Sequence, residues 1–87
     1  MWYVYILKCQ NGDLYTGLTN NLERRISEHQ QGKGGKFTKD VRVEKLLHKE
    51  NFATLEEARS REVQIKGWTR KKKLALIAGD LQLLKKL

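Results

Sequence analysis

Residues 2–9 (Trp2-Tyr3-Val4-Tyr5-Ile6-Leu7-Lys8-Cys9) alternate only loosely between apolar and polar, but they are rich in aromatic and β-branched side chains and predict a strand. Asn11-Gly12 is a strong hairpin signal, and Leu14 to Leu18 is the expected returning strand. Two loop lengths compete. A two-residue turn at Asn11-Gly12 pairs Tyr5 with Leu18 and sends Tyr5 and Tyr15 to opposite faces. A three-residue loop, Gln10-Asn11-Gly12 with Gly12 left-handed, pairs Tyr5 with Gly17 and places Tyr5, Leu7 and Tyr15 on one face. The second arrangement is expected here.

Downstream the period changes from two to 3.6. Asn20 or Asn21 can cap a helix running to about Gln31 and stopped by Gly32. Gly32-Lys33-Gly34-Gly35-Lys36 is incompatible with regular structure and reads as a basic loop. A third strand is expected from Val43 to Glu50. Thr54 and Glu57 then have capping-box spacing for a helix that runs from Leu55 to near Gly67. Thr69 can cap another helix over 70–78, and Gly79 separates it from the short helical stretch Asp80 to Leu87. The order β-β-α-β-α-α predicts an α+β fold: a small three-stranded antiparallel sheet packed with helices, with residues 1–78 as the domain and 79–87 as its tail.

Composition narrows the class. A chain of 87 residues with 39% hydrophobic and 32% charged residues fits one small globular domain. No apolar run approaches the roughly 20 residues of a membrane span, and the N-terminus reads as a strand rather than a signal peptide. Cys9 is the only cysteine, which rules out an internal disulfide and makes a cytoplasmic setting the expectation. With His29 and His48 as the only histidines, a structural zinc site is not expected either. The 18 Lys and Arg residues against 10 Asp and Glu give a charge of +8, which points to a polyanionic partner, nucleic acid before membrane.

Glu62 breaks the pattern of its helix. At about 100° per residue Leu55, Ala58 and Ile65 make the apolar stripe, and Glu62 falls inside it. A carboxylate turned inward must be paired, hydrogen-bonded or bound to a cation. The preceding helix does the same with opposite sign: Leu22 and Ile26 define its apolar face, and Arg25 and His29 lie on or beside it. A structural Arg25–Glu62 ion pair is one explanation, although such pairs stabilise poorly compared with apolar packing. A functional site assembled from converging ionisable groups is the other.

With Tyr5 and Tyr15 added, the chain resembles the GIY-YIG nuclease superfamily, in particular its small stand-alone bacterial members. The two strand motifs appear as Tyr3-Val4-Tyr5 and Tyr15-Thr16-Gly17. Asn21-Leu22-Glu23-Arg24-Arg25-Ile26-Ser27-Glu28-His29, Ala58-Arg59-Ser60-Arg61-Glu62 and the run from Ile65 to Ile77 follow in register. The pattern departs from the family at Tyr3, where a Gly leads the first motif, and at Thr16. It also departs over 68–74, which lacks the Asn that many catalytic relatives carry there.

The resemblance implies a divalent-metal-dependent endonuclease hydrolysing phosphodiester bonds, with DNA as substrate, branched or damaged DNA included, and RNA as the alternative polymer. It implies that Glu62 holds one Mg²⁺ or Mn²⁺ ion, that Tyr5 is the general base, and that Tyr15 orients phosphate or water. Arg25 would clamp the phosphate and His29 would assist. Lys33, Lys36 and Thr38 of the glycine-rich loop, with Lys66, Arg70, Lys71, Lys72 and Lys73, are candidates for contact with the nucleic-acid backbone, Trp68 adding a stacking surface. A monomer is expected. The competing reading is a non-catalytic nucleic-acid-binding module on the same fold.

Overall fold

A computed structural model of the chain describes residues 1–31 and 43–87. Strands β1 (Trp2–Cys9) and β2 (Leu14–Thr19) form a hairpin, followed by helix α1 (Leu22–Gln30) and strand β3 (Val43–Phe52). Helices α2 (Leu55–Lys66), α3 (Arg70–Ala78) and α4 (Leu81–Lys86) complete the order. The sheet is antiparallel, in the order β2-β1-β3. The expected α+β architecture is the one found, and most element boundaries fall within two residues of the sequence reading. Among the described residues no helix is long and apolar enough to cross a membrane.

The loose alternation in β1 has a physical reason. As the central strand it is covered on both faces, so Val4, Tyr5, Ile6 and Leu7 are all buried. Val4 and Ile6 point to one side, where Ala58 and Ile65 of α2 complete the core and Trp68, Leu76 and Ile77 close over it. Tyr5 and Leu7 point to the other, packed with Tyr15, Leu46 and the apolar stripe of α1, Leu22 and Ile26. Helices α1 and α2 therefore flank the sheet on opposite faces.

The hairpin takes the three-residue loop. Cys9 N–H donates to the Asp13 carbonyl at 2.9 Å, Gly12 N–H donates to the Cys9 carbonyl at 2.9 Å, and Gly12 has φ +91°. Tyr5 then stands opposite Gly17, and Leu7 opposite Tyr15. A one-residue change in loop length would have flipped every side chain of β2.

That register creates the tightest contact of the domain. A Cβ built on Gly17 would collide with the Tyr5 ring and hydroxyl. Only a residue without a side chain lets the phenol lie flat across β2. The caps are as expected: Asn21 accepts from Arg24 N–H at 3.1 Å, and Thr54 accepts from Glu57 N–H at 3.3 Å while donating to its carboxylate at 2.9 Å.

Gly17→Ala is expected to destabilise the domain by about 1–3 kcal/mol in denaturant titrations, the cost typical of overpacking. In a double-mutant cycle the penalty should largely vanish when Tyr5 is already replaced by Ala. An equal penalty in both backgrounds would show that the glycine serves the backbone and not the phenol.

Candidate active site

Tyr5 reaches its position because β1 fixes its face and Gly17 leaves the space. Its hydroxyl lies 3.0 Å from His29 Nε2 in a buried hydrogen bond. His29 is fully buried. The imidazole meets Tyr5 edge-on, ring centroids 5.9 Å apart, and Tyr15 likewise at 4.9 Å. The two phenol rings are 6.4 Å apart and tilted by 32°. Arg25 lies one helical turn before His29, so both project from the same side of α1. Its guanidinium engages the hydroxyls of Tyr5 and Tyr15. With a side chain 30% exposed, it leads from the buried pair to solvent, and its Nη1 lies 3.9 Å from Glu28.

These neighbours set the charges. Burial pushes the Tyr5 phenol up to about 12, assisted by Tyr15 and Glu62 and opposed by Arg25. Burial and then the Arg25 charge hold His29 below the usual imidazole value, Glu28 offsetting part of this. At neutral pH the pair is therefore a neutral phenol beside a neutral imidazole, with the imidazole tautomer deciding which of the two donates. Burial also works against the Arg25 charge, but the Tyr5 and Tyr15 hydroxyls hold its pKa above the ordinary value. The guanidinium is a permanent cation.

Glu62 comes from the helix on the opposite face. Its inward placement is as its helical angle predicted: the side chain is only 15% exposed, while Ala58 and Ile65 beside it are fully buried. Oε2 lies 3.4 Å from Nζ of Lys66, which is itself 54% exposed. Helix α2 packs across β1 and β2, the latter being the strand that carries Gly17 and Tyr15. The Glu62 charge is felt at the Tyr5 phenol. The arrangement is thus a phenol–imidazole pair, a second phenol and a guanidinium on one face, with a carboxylate approaching from the other layer.

Among the described residues no group of three or more His, Cys, Asp or Glu side chains could hold a metal ion unaided. A single carboxylate fits a hard cation that keeps its water and takes oxygen from a bound phosphate, the usual manner of Mg²⁺. It does not fit a resident zinc or calcium site.

The basic residues behave less uniformly than their spacing implied. Lys33, Lys36 and Thr38 lie outside the described residues. Lys66 is engaged by Glu62, and Arg70 Nη1 donates to the Gly12 carbonyl at 2.8 Å, tying α3 to the hairpin turn. Lys72 Nζ sits 4.6 Å from the Trp68 ring centre and the Arg61 guanidinium 5.1 Å from it. The indole expected as a stacking surface is therefore already in contact with two cations of its own chain. Lys71 is exposed and Lys73 partly so.

One cluster escaped the sequence reading. Arg61 grips Glu50 with Nε at 2.9 Å and Nη2 at 3.2 Å, and donates to Gln64 Oε1 at 2.8 Å. His48 Nε2 lies 2.8 Å from the same carboxylate. Burial raises the Glu50 pKa, but hydrogen bonds from Arg61 and His48 outweigh it and leave the group lowered. His48 and Glu50 share a face by strand period, a signal the sequence did contain. It supplied nothing to identify Arg61 as their partner. The bidentate grip fixes the roll of α2 against β3, and with it the direction of the neighbouring Glu62.

Comparison with known proteins gives the family. A family model described as the GIY-YIG catalytic domain matches residues 1–75. A UPF0213 protein of Clostridium perfringens is 53% identical over 79 residues, covering 91% of this chain and 85% of that protein. One of Staphylococcus saprophyticus is 47% identical over 76 residues, covering 87% and 93%. The solution NMR structure of the UPF0213 protein BH0048 from Bacillus halodurans superposes with a TM-score of 0.56 at 40% identity, covering 90% of this chain and 84% of that one. By the family model and by these relatives, the chain belongs to the GIY-YIG domain family.

Proposed function

We propose that this protein is an endonuclease that hydrolyses phosphodiester bonds in DNA with one divalent cation, Mg²⁺ or Mn²⁺, and that residues 1–78 carry the activity with 79–87 as an accessory tail. The observation that supports it most is the buried Tyr5–His29 hydrogen bond beside Arg25, with the Glu62 carboxylate coupled to the same phenol. The family is nuclease-type, which makes nucleic acid the substrate class.

In this reading Arg25 binds two oxygens of the scissile phosphate through its planar fork. Tyr15, in contact with Arg25, orients the phosphate or the attacking water. As that water attacks phosphorus, its proton passes to the Tyr5 oxygen while the Tyr5 proton passes to His29 Nε2. His29 must be neutral to accept it, the state its burial enforces. Glu62 would hold the cation, exchanging its contact with Lys66 for it. When bound, the cation supplies positive charge against the phosphate oxygen and the departing oxygen. Lys71 and Lys73 would track the backbone, with Lys33, Lys36, Thr38 and Lys66 as further candidate contacts, and Arg70 and Lys72 would join only by releasing the Gly12 carbonyl and the Trp68 ring.

Glu62→Gln is expected to lower the cleavage of labelled linear, flapped and branched DNA by ~100-fold or more, with folding and DNA binding retained. An equally active variant would exclude the site. A wild-type protein that binds DNA in a strongly salt-dependent way but never cuts it would instead be a binding module.

The protonation states give a second check. His29 is lowered in the folded state, so the unfolded chain takes up the proton first as pH falls. Stability should decline below about 6.5, down to the folded imidazole value, whereas cleavage should persist through that window and fall only as pH drops through the lower folded value. His29→Gln should remove that acid dependence of stability, read from denaturation midpoints between pH 4 and 7.

At high pH, ultraviolet titration should find one tyrosine ionising near 12 and losing its signal in Tyr5→Phe. A wild type in which every tyrosine ionises near 10 would contradict the buried phenol.

A further inference from the structure

A cleft of ≈ 440 Å³ opens on the α1 face of the sheet, next to the tyrosine–arginine cluster and outside it. Its floor is apolar, Ile26 of α1 and Leu46 of β3, the same side chains that pack against Tyr5. Its rim is polar and mixed in charge: Tyr3, Asn20, Glu23 and Lys49. We infer that this cleft receives an unpaired nucleobase adjacent to the phosphate held by Arg25, and so selects nucleic acid with an unpaired nucleotide at the cut. This deepens the nuclease reading, and it rests on that reading for the identity of the neighbouring phosphate.

Continuity with the cluster comes first. Tyr3 stands two residues before Tyr5 on the same strand, so both face α1 at a separation of about 6.8 Å. Lys49 lies directly opposite Tyr5 in the β1–β3 register. Ile26 follows Arg25 in the chain. A phosphate at the guanidinium therefore has its neighbouring nucleotide over this cleft. The volume lies in the range of small-ligand pockets and suits one base with its sugar.

The chemistry of the lining is the second argument. An apolar floor beneath a tyrosine ring suits a flat π-system, and base–aromatic stacking tolerates any base. Lys49 is exposed, and among the described residues it forms no ion pair, so its ammonium is available to the next phosphate. Asn20 and Glu23 offer acceptors to the amino groups of a base edge, as a carboxylate does for cytosine N4. Glu23 would repel a phosphate, so the cleft itself suits a base rather than the backbone. In a duplex those edges are paired and the faces stacked, which makes the cleft accessible only to a base out of its helix.

The test separates binding from cleavage. In EDTA, fluorescent deoxy- and ribo-hexanucleotides and a blunt duplex of the same sequence are titrated into wild type, Tyr3→Leu, Tyr3→Phe and Lys49→Gln by anisotropy. Single strands are expected to bind more tightly than duplex. Tyr3→Leu should weaken single-strand binding about tenfold while leaving duplex binding unchanged, and Tyr3→Phe should restore it. The deoxy and ribo arms show which polymer the cleft accepts.

In parallel, 5′-dCMP added to ¹⁵N-labelled wild type should shift the amides of Tyr3, Asn20 and Lys49 before those of α3. This arm needs no variant and stands even if Tyr3→Leu folds poorly. Equal losses for single strand and duplex, or no shift at these amides, overturn the proposal. Tyr3-dependent binding by a protein that never cleaves in Mg²⁺ or Mn²⁺ would keep the cleft and reject the nuclease. Glu62-dependent cleavage without any Tyr3 effect would do the reverse.

Discussion

The hydrogen bond between Tyr5 and His29 constrains everything around it. A phenol and an imidazole are both taken out of water, and each satisfies the other at 3.0 Å. For the bond to form, the phenol must cross β2 where the strand has no side chain, and α1 must present its eighth residue inward. The first condition fixes Gly17 and the hairpin register. The second fixes the angular position of α1, and with it Arg25 one turn earlier. Geometry, charge state and access to solvent thus descend from a single buried contact.

Opposite charges are kept in separate layers. Arg25 approaches the phenols from one face, and Glu62 is carried by the helix on the other. Had both been on one face, a direct and desolvated ion pair would have been the low-energy outcome and would have left neither group available. Packing of α2 on β1 and β2 lets the carboxylate act on the phenol while it stays paired with the exposed Lys66, a contact that water or a cation can replace. The grip of Arg61 on Glu50 keeps this arrangement from rotating, since α2 otherwise holds the sheet mainly through the small Ala58 and through Ile65.

A domain of this size has little apolar core to spare, and here much of it also carries polar groups. Tyr5 and His29 are among the largest fully buried side chains. Cations that periodicity placed on the surface are partly used to hold the fold: Arg70 on the hairpin turn, Lys72 and Arg61 on the Trp68 ring. The net charge of +8 is therefore a poor count of the cations left for a polyanion.

Local pattern determined the elements. The caps at Asn21 and Thr54, the loop ending in Gly12, the change of period after β2 and the misfit of Glu62 in its stripe are all legible in the sequence, because each depends on residues within a turn or two of one another. The parity of the hairpin even placed Tyr5 and Tyr15 on a common face. Tertiary structure decided which faces meet. That Gly17 exists to admit a phenol, that Arg61 takes Glu50, that Trp68 is already covered and that a cleft lies beside Tyr3 all join residues far apart in the chain. Periodicity gives a side chain its direction along its own element. Only packing tells it what lies in that direction, because the distance between two elements depends on the volume of every side chain between them.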